Sequence, residues 1–319
     1  MNIYIRSAAS ISPQPAFGDD PLSAKPAIPI GNRLRAIEPD YSSFIDPKQI
    51  RRMSRIVKMG VAAAHACLRE AGETMPGAIV TGTAYGCLED TGIFLSRLIE
   101  QQEEMLSPTS FIQSTHNTVG AQIALMLQCT NYNNTFVHRG FSFESALLDA
   151  MMLLWEGAAT TVLAGSVDEI TDSSHAILER FGLYRRRFPP IAGEGAAFFL
   201  LAGEPTDNDY AQLEGLHTFY RPHSIGEVED QIRDFLSARS LTMEDIDLVL
   251  SGGHPTAPIF KDKECIGFKH GSGEYPTASS FALAYAASIL RAEKTIHKRI
   301  LIYNHYLDIH HSLMLVSKC

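Results

Sequence analysis

The stretch Asn134–Ser166 (NTFVHRGFSFESALLDAMMLLWEGAATTVLAGS) predicts a strand, a sharp turn, a helix and a second strand. Asn134–His138 is a short extended run, Ser145–Trp155 is an apolar helix, and Thr160–Ala164 is a buried strand. A strand-to-helix turn of this kind holds its tip residue at the positive end of a helix dipole, where enzymes activate a nucleophile. The tip reads HRGFS, and Gly140 at its centre has no side chain that could attack a substrate.

The composition is that of a globular chain with a large core. The chain has 319 residues, of which 45% are hydrophobic and 20% are charged, enough for one or two closely joined domains. The net charge of -9 argues against a nucleic-acid-binding surface, which needs a basic face. The sequence has no long uninterrupted apolar run, so it predicts no membrane span.

The cysteines are scattered and form no CxxC pair. They are Cys67, Cys87, Cys129, Cys265 and Cys319. This pattern is typical of reduced thiols in a cytoplasm and gives no metal site. Met1–Ser12 lacks the charged start and the long apolar middle of a signal peptide. We therefore expect a cytoplasmic protein, and we expect no cofactor.

Strands and helices alternate along the rest of the chain, which predicts a layered α/β architecture. We expect one long helix over Asp46–Ala71, a loop at Leu106–Phe111 and, after Gly165, an irregular polar segment to about Arg187. In the second half, Ala278–Arg291 has the small residues of a closely packed helix. Strand–helix–strand units recur in both halves, which hints at an internal duplication.

Six segments, in this order along the chain, carry a family resemblance. They are Ile45–Gly72, Leu106–Gly120, Glu156–Ser166, Gly193–Ala196 (GEGA), Leu250–Thr256 (LSGGHPT) and Phe268–Gly273 (FKHGSG). They resemble an early helix, the segment before the nucleophile, the strand after it, a glycine-rich turn, a histidine motif and a lysine motif. Together they resemble the β-ketoacyl-acyl-carrier-protein synthases, condensing enzymes of the thiolase fold. The resemblance covers nearly the whole chain, and the order of the motifs carries it.

The resemblance implies a thiolase-like fold with two similar βαβ-type halves and a layered α-β-α-β-α architecture. We expect an N-terminal half over residues 1–205 and a shortened C-terminal half over residues 206–319. Only 14 residues separate His254 from Lys269. A connecting helix that the family has there is therefore expected to be absent.

The departures from the family pattern concern the residues that carry the chemistry. Gly140 stands where family members have a cysteine nucleophile. His254 falls at the first active-site histidine and Lys269 at the lysine, but Glu274 replaces the second histidine. Asn304–Asp308 replaces the glycine-rich loop that helps to form the oxyanion hole. Without a thiolate, and with a carboxylate that repels an enolate, we expect that the chain condenses nothing by itself.

Family members without the cysteine include chain-length factors, and the resemblance implies that role. Such a subunit pairs with an intact β-ketoacyl-acyl-carrier-protein synthase as a heterodimer and shapes its acyl tunnel; a homodimer is the alternative. An acyl carrier protein is the expected second partner. Type II polyketide, aryl-polyene and fatty-acid-like pathways all fit this role, and an aryl-polyene or pigment pathway is our preference.

The resemblance also gives candidate residues for the tunnel and the interface. They are Phe111, Gln113, Thr115, His116 and Phe141. Ordinary core packing is the alternative interpretation for Phe111, and a structural hydrogen bond is the alternative for His116.

Two basic clusters on this acidic chain are candidates for docking an acidic carrier protein. They are Arg51, Arg52 and Arg55, and Arg185, Arg186 and Arg187. A solvated face and salt bridges to a synthase are the alternatives. Lys269 is expected either in a buried ion pair with Glu274 or Glu194 or at the surface.

Three other functions stay open at this stage. The chain is an active enzyme if Ser142 attacks a thioester with His254 or His138 as its base, although Ser142 is also a natural helix cap. The chain is a malonyl decarboxylase if His254 retains activity alone, whereas the simpler role for His254 is to cap a strand end. The chain is a scaffold subunit if it has no part in the tunnel.

A histidine-rich stretch near the C-terminus superficially resembles a metal cluster. It contains His305, Asp308, His310 and His311. Side chains at these spacings on a strand and a loop rarely converge, so we expect no metal there.

Overall fold

The computed structural model describes residues 2–15, 17, 31–185, 189–253 and 257–319, apart from the side chain of Arg185. Its strands are β1 (Ile3–Ile11), β2 (Arg33–Leu34), β3 (Ala78–Gly82), β4 (Tyr132–Phe136), β5 (Thr161–Asp168), β6 (Ala192–Gly193), β7 (Gly195–Ala202), β8 (Ala211–Tyr220), β9 (Leu248–Ser251), β10 (Glu264–Gly267), β11 (Arg299–Tyr306) and β12 (His310–Ser317). Its α-helices are α1 (Pro47–Ile50), α2 (Arg55–Ala71), α3 (Leu88–Glu100), α4 (Pro108–Gln113), α5 (Thr118–Leu127), α6 (Ser142–Trp155), α7 (Asp172–Arg180), α8 (Ile225–Ser237), α9 (Lys269–Ser272) and α10 (Ala278–Arg291).

The main sheet has the strand order β10-β9-β11-β12-β8-β1-β7-β5-β3-β4. Each half of this order repeats the same arrangement. In the first half, β4, β3 and β5 are parallel, and β7 pairs antiparallel with both β5 and β1. In the second half, β10, β9 and β11 are parallel, and β12 pairs antiparallel with both β11 and β8. The halves meet where β1 pairs antiparallel with β8. The repeated order agrees with an internal duplication, while the boundary at residue 205, between β7 and β8, stays a prediction.

Apolar side chains alternate between the two faces of the sheet, and three layers of helices cover them. The helices α6 and α10 lie between the inner faces of the two halves, where Leu248 and Leu250 also point. Val249 points outward and packs under α8. The helices α2 and α5 cover the outer face of the first half. This packing gives the predicted α-β-α-β-α layers.

The predicted long helix over Asp46–Ala71 is two helices in the structure. Asp46 caps α1, since its carboxylate accepts a hydrogen bond from the amide of Lys48 at 2.7 Å. The chain then turns, and α2 begins after Ser54, whose backbone is extended. The Asp46-Pro47 pair therefore does mark the start of a helix, but that helix is the short α1.

Two further predictions about local structure are wrong. The predicted loop Leu106–Phe111 contains the start of α4, which has Pro108 at its first position. The segment predicted to be irregular contains the end of β5 and all of α7, whose start is fixed by a capping box between Thr171 and Ser174. Polar composition hid α7, because few of its residues are buried. None of the helices in the described part of the chain is long and apolar enough to cross a membrane.

The buried carboxylate of Asp168, at the end of β5, joins the two halves of the chain. It accepts hydrogen bonds from the Ala84 amide at 2.9 Å and the Thr83 hydroxyl at 3.0 Å, both after β3. It also accepts one from the hydroxyl of Thr277, just before α10, at 2.8 Å. Burial raises the pKa of Asp168 to about 6, against the opposing effect of these hydrogen bonds. One side chain thus fixes the positions of three elements.

We expect Asp168→Asn to lower the free energy of unfolding by about 1–3 kcal/mol, because an amide group would face donors that need an acceptor. Asp230→Asn is the matched control. Asp230 is largely exposed and pairs with Arg233 at 2.9 Å, so its loss should change stability by less than about 1 kcal/mol. Chemical denaturation of both variants measures the difference. Equal effects would contradict the joining role of Asp168.

Candidate functional site

The predicted turn between strand and helix is present, and glycine lies at its apex. After β4, the residues Arg139–Phe141 form a single 3-10 turn, and α6 begins directly behind it. Arg139 has a φ of 51°, a left-handed conformation that costs a residue with a side chain about 1–2 kcal/mol. This tight turn places Gly140, which is buried, at the leading end of α6.

Two side chains of the β11–β12 hairpin fill the space beside Gly140. A β-carbon at residue 140 would lie 2.7 Å from the Cβ of Tyr306 and 2.9 Å from the Cβ of His310, which is closer than van der Waals contact allows. The His310 ring packs edge-on against Phe141, with ring centroids 4.8 Å apart. The hydroxyl oxygens of Tyr306 and Tyr85 are 3.0 Å apart. The elbow therefore has no room for a side chain at 140 unless the hairpin moves.

A small cavity of about 20 Å³ remains next to these rings. Its lining includes Tyr85, Tyr184, Tyr306, Glu169, His175 and Glu274. Burial raises the pKa of Glu169 to about 7 and that of Tyr184 to about 12. A cavity of this size holds about one water molecule. It has no room for an acyl chain.

Ser142 is engaged with the backbone of the turn. Its hydroxyl accepts a hydrogen bond from the amide of His138 at 2.8 Å and donates one to the carbonyl oxygen of Arg139 at 2.8 Å. The ring of His138 faces Ser145 instead, with Nδ1 and Oγ 3.1 Å apart. Ser142 is fully buried. These contacts argue against Ser142 as a nucleophile with His138 as its base. The expected role of Ser142 as a helix cap is wrong as well, because Ser142 is the first residue of α6, Phe141 lies at the N-cap, and no side chain caps that end.

Lys269 and Glu274 form the predicted ion pair. Lys269 Nζ lies 2.8 Å from a carboxylate oxygen of Glu274, and both side chains are mostly buried. Lys269 also donates a hydrogen bond to the carbonyl oxygen of His305. The backbone of Glu274 is fixed by its own hydrogen bonds, to Ile191 at 2.7 Å and from Gly193 at 3.0 Å. His254, another candidate from the sequence, lies outside the described residues.

Arg55 is committed to a structural ion pair, which corrects its assignment to a docking cluster. Its guanidinium donates two hydrogen bonds to the buried carboxylate of Glu194, at 2.7 and 2.8 Å, and one to Glu38 at 2.6 Å. Glu194 is thus the partner of Arg55 and not of Lys269. Arg51 and Arg52 are exposed.

The second basic cluster is only partly described. Arg185 belongs to a short 3-10 turn, Leu183–Arg185. Its side chain lies outside the described part of the structure, as do Arg186 and Arg187.

The predicted tunnel and interface residues lie mainly on and beside α4. Phe111 is 58% exposed, so core packing does not account for it, and its ring contacts Phe94 of α3. Gln113 donates a hydrogen bond to the carbonyl oxygen of Arg52. The hydroxyl oxygen of Thr115 lies 3.0 Å from that of Thr118.

His116 and Phe141, the other two candidates, are in different surroundings. His116 is exposed at the surface, against Gly86. Phe141 is buried at the elbow. Next to α4, a groove of about 460 Å³ runs between α1–α2 and α4–α5.

The histidines near the C-terminus point to opposite faces of the sheet. His310 faces the elbow, whereas His311 lies 3.1 Å from the hydroxyl of Tyr303 on the outer face. His305 is 3.2 Å from the carboxylate of Asp308. Within the described residues, no three histidine, cysteine or acidic side chains are placed to hold a metal ion.

A family model for the N-terminal domain of β-ketoacyl synthases matches residues 30–189, which is half of the chain. The chain belongs to the β-ketoacyl synthase family. No curated protein matches the chain in a sequence search. The matched segment is 160 residues long. It includes the turn at Gly140, α4 and the cluster of Arg51 and Arg52.

Solved structures share the fold over the whole chain. One is a type II polyketide synthase acyl-carrier protein in complex with its ketosynthase, with a TM-score of 0.80 at 15% identity and coverage of 100% of this chain and 99% of the other. The ishigamide ketosynthase/chain length factor has a TM-score of 0.78 at 16% identity, covering 100% and 99%. A ketosynthase in complex with its chain length factor, from Xenorhabdus doucetiae, has a TM-score of 0.73 at 13% identity, covering 100% and 98%. The predicted thiolase-like fold is confirmed.

Sequence reasoning finds Gly140 and the Lys269–Glu274 pair, but it misses the two residues that close the elbow. Tyr306 appears in the sequence only as part of the loss of a glycine-rich loop, and His310 only as part of a histidine-rich stretch. The available signal concerns Tyr306 alone, because Tyr306 stands within Asn304–Asp308, where the resemblance gives a glycine-rich loop.

We expect Gly140→Ala to lower the free energy of unfolding by about 1–3 kcal/mol, because its β-carbon overlaps Tyr306 and His310. Gly92→Ala is the matched control, since a β-carbon at Gly92, within α3, meets nothing within 4 Å. That change should stabilise the protein by up to about 1 kcal/mol through helix propensity. Chemical denaturation gives both values. A neutral Gly140→Ala would mean that the space beside the elbow is open.

Proposed function

We propose that the chain is a non-catalytic ketosynthase-like subunit, similar in role to a chain-length factor. It pairs with an active β-ketoacyl-acyl-carrier-protein synthase and shapes the acyl tunnel of that partner. The pathway is of the type II polyketide, aryl-polyene or fatty-acid-like kind.

The observation that carries this proposal is the closed elbow at Gly140. Condensation in this family needs a thiolate that accepts the acyl chain, and glycine offers none. The β-carbons of Tyr306 and His310 and the ring Cγ of His310 occupy the space that such a side chain would need. A single substitution of glycine by cysteine therefore does not recreate the site. Loss of both the nucleophile and its space supports a subunit without acyl transfer of its own.

The ion pair between Lys269 and Glu274 supports the same proposal. The family resemblance puts an imidazole at residue 274, where it stabilises an enolate. Here a carboxylate stands at that position and is held by Lys269 at 2.8 Å. A mostly buried ion pair of this kind is a structural element, because each charge satisfies the other instead of a substrate.

A difference between the two edges of the sheet supports a protein partner. β10 follows Lys261–Lys263 and begins with Glu264, and charges of this kind prevent unwanted pairing at an edge strand. β4, at the other edge, has no charged residue. Next to it, Leu148, Met152 and Trp155 of α6 are each about half exposed. An uncharged edge strand beside exposed apolar side chains is typical of a surface that a partner covers.

Two similar structures contain a partner of the same kind. The Xenorhabdus doucetiae structure is that of a ketosynthase with its chain length factor, and the ishigamide structure is named for both proteins. A third similar structure is that of an acyl-carrier protein with its ketosynthase. For this chain, the exposed Arg51 and Arg52 are the described side chains that we assign to docking of an acidic carrier protein.

Acyl loading and partner dependence test this proposal together. The purified chain, incubated with acyl- and malonyl-loaded carrier protein, should keep its unmodified mass in intact-mass spectrometry, and so should Gly140→Cys. Co-expression with an intact synthase of the family should yield a stable complex with condensing activity. A covalent acyl adduct on the native chain would overturn the non-catalytic role, and failure to bind any such synthase would overturn the pairing.

Tunnel shaping predicts an effect of side-chain volume at α4. Thr115→Trp should shorten the product of the complex by at least one two-carbon extension, because the larger ring fills space at the partner-facing loop. Thr74→Trp is the matched control, since Thr74 is exposed beyond the end of α2 and away from α4. Mass spectrometry of the released products measures chain length. An unchanged product with Thr115→Trp would favour the scaffold role.

A further inference from the structure

The helices α3 and α4 form an arm that buries none of its own side chains. No residue of either helix is buried, and the two helices meet through Phe94 and Phe111, whose ring centroids are 5.6 Å apart. We call residues 88–113 the α3–α4 arm. A segment with so little buried apolar surface has low local stability. Its position therefore depends on the contacts at its base.

Two carboxyl groups lie at the base of the arm, one on each side of the contact. Glu169, the residue after β5, accepts a hydrogen bond from the amide of Glu89 in the first turn of α3 at 3.4 Å. Cys87 stands at the N-cap of α3 and makes no side-chain cap, so Glu169 supplies an acceptor to that helix end. On the arm itself, Asp90 lies beside the hydroxyl of Ser54 at the start of α2.

Carboxyl groups outnumber cations at this base. The carboxyl groups are Glu38, Asp90, Glu169 and Glu194, and the cations are Arg55 and Lys58. Arg55 donates its hydrogen bonds to Glu38 and Glu194, and Lys58 lies near Glu38. Glu194 also accepts a hydrogen bond from the amide of Ile170, next to Glu169, at 2.8 Å. The cations are thus engaged with two carboxylates, and the excess negative charge falls on Asp90 and Glu169.

Glu169 is the member of this set that holds a proton near neutral pH. Burial raises the pKa of Glu169 to about 7, and Asp90 and Glu194 raise it further, against the opposing effects of the Glu89 amide and Arg55. Burial also raises the pKa of Asp90. Two neighbouring carboxyl groups in a poorly solvated place do not both ionise easily.

Other ionisable groups face Glu169 from the surrounding elements. They are Cys87 and, along the small cavity, Tyr85, Asp168, His175, Tyr184, Glu274 and Tyr306. Burial raises the pKa of the Cys87 thiol to about 12 and lowers that of His175, so both are neutral at pH 7. Asp168 titrates near pH 6, but its oxygens accept hydrogen bonds from the residues after β3 and from Thr277, not from α3.

The sign of the pH effect follows from the pKa of Glu169 in the two positions of the arm. With α3 in place it is about 7, and with α3 moved away it returns towards the usual 4.5. The protonated group therefore stabilises the closed arm at low pH, and this stabilisation is lost as the pH rises from about 4.5 through 7. At higher pH the carboxylates of Asp90 and Glu169 repel each other.

We propose that Glu169 and Asp90 form a pH-sensitive hinge at the base of the α3–α4 arm, closed while the two carboxyl groups share a proton and loosened when both are ionised. The far end of the arm stays attached, because Gln113 donates a hydrogen bond to the carbonyl oxygen of Arg52, so the arm pivots. The inference goes beyond the proposed function, since no partner, carrier protein or acyl group takes part.

Hydrogen exchange measured by mass spectrometry on the full chain at pH 5.5 and pH 7.5 tests the hinge. After correction for intrinsic exchange rates, the opening constant of amides in α3 should rise at least about tenfold between the two pH values. Peptides of α8, a helix of the other half with no residue at this base, serve as the internal reference and should change less than about twofold.

Variants assign the effect to Glu169. Glu169→Gln cannot ionise, so the rise in α3 should fall below about threefold. Glu179→Gln is the matched control, because Glu179 on α7 is exposed, and it should keep the full rise. Asp90→Asn removes the repelling charge from the arm itself and should lower the opening at pH 7.5, which keeps the test valid if Glu169→Gln folds poorly.

Two results would overturn this inference. One is an opening of α3 in the wild type that does not change with pH relative to α8. The other is a rise in Glu169→Gln and Asp90→Asn as large as in the Glu179→Gln control. Both results leave acyl loading and partner binding untouched, so they are distinguishable from failure of the proposed function.

Discussion

The hydrogen bonds of one buried carboxylate hold the site in shape. Asp168 binds the loop after β3, including the amide of Ala84, and the hydroxyl of Thr277 before α10. The same loop carries Tyr85, whose hydroxyl meets that of Tyr306. The closed elbow therefore depends on a chain of contacts that starts at the end of β5 and crosses from one half of the protein to the other.

Two changes at the elbow belong together physically. Removal of a side chain at Gly140 leaves a space, and close-packed interiors do not tolerate an empty space of that size. Tyr306 and His310 fill it from the opposite half of the chain. Close to them, Lys269 and Glu274 satisfy each other. At these positions, side chains therefore face other protein groups.

Much of the fold could be predicted from the sequence, because long apolar elements have clear periodicity. Ala278–Arg291 was predicted with the bounds that the structure gives to α10. Short or polar helices were not predictable in this way: α4 has no buried residue, and α7 has one. Their starts are set by local capping, which composition alone does not reveal.

The site was predictable only where its contacts are local. Lys269 and Glu274 are five residues apart, so their pairing could be proposed from the sequence. Arg55 and Glu194 pair across 139 residues, and Gly140 meets Tyr306 across a similar distance along the chain. Such contacts follow from the strand order, and no pattern of residue types encodes them. For this reason the sequence alone does not reveal that Arg55 pairs with Glu194 or that Tyr306 lies beside Gly140.

The turn between β11 and β12 determines which face of the sheet each side chain of β12 points to. Its central residues Leu307 and Asp308 both have φ near +58°, and the amide of Ile309 donates to the carbonyl oxygen of Tyr306 at 3.1 Å. Because side chains alternate along a strand, adding or deleting one residue in this turn would exchange the two faces of β12. His311 would then replace His310 above the elbow. Because the side chain that arrives is also a histidine, the elbow would stay blocked, and the change would instead disturb the outer face, where His311 now lies 3.1 Å from the hydroxyl of Tyr303.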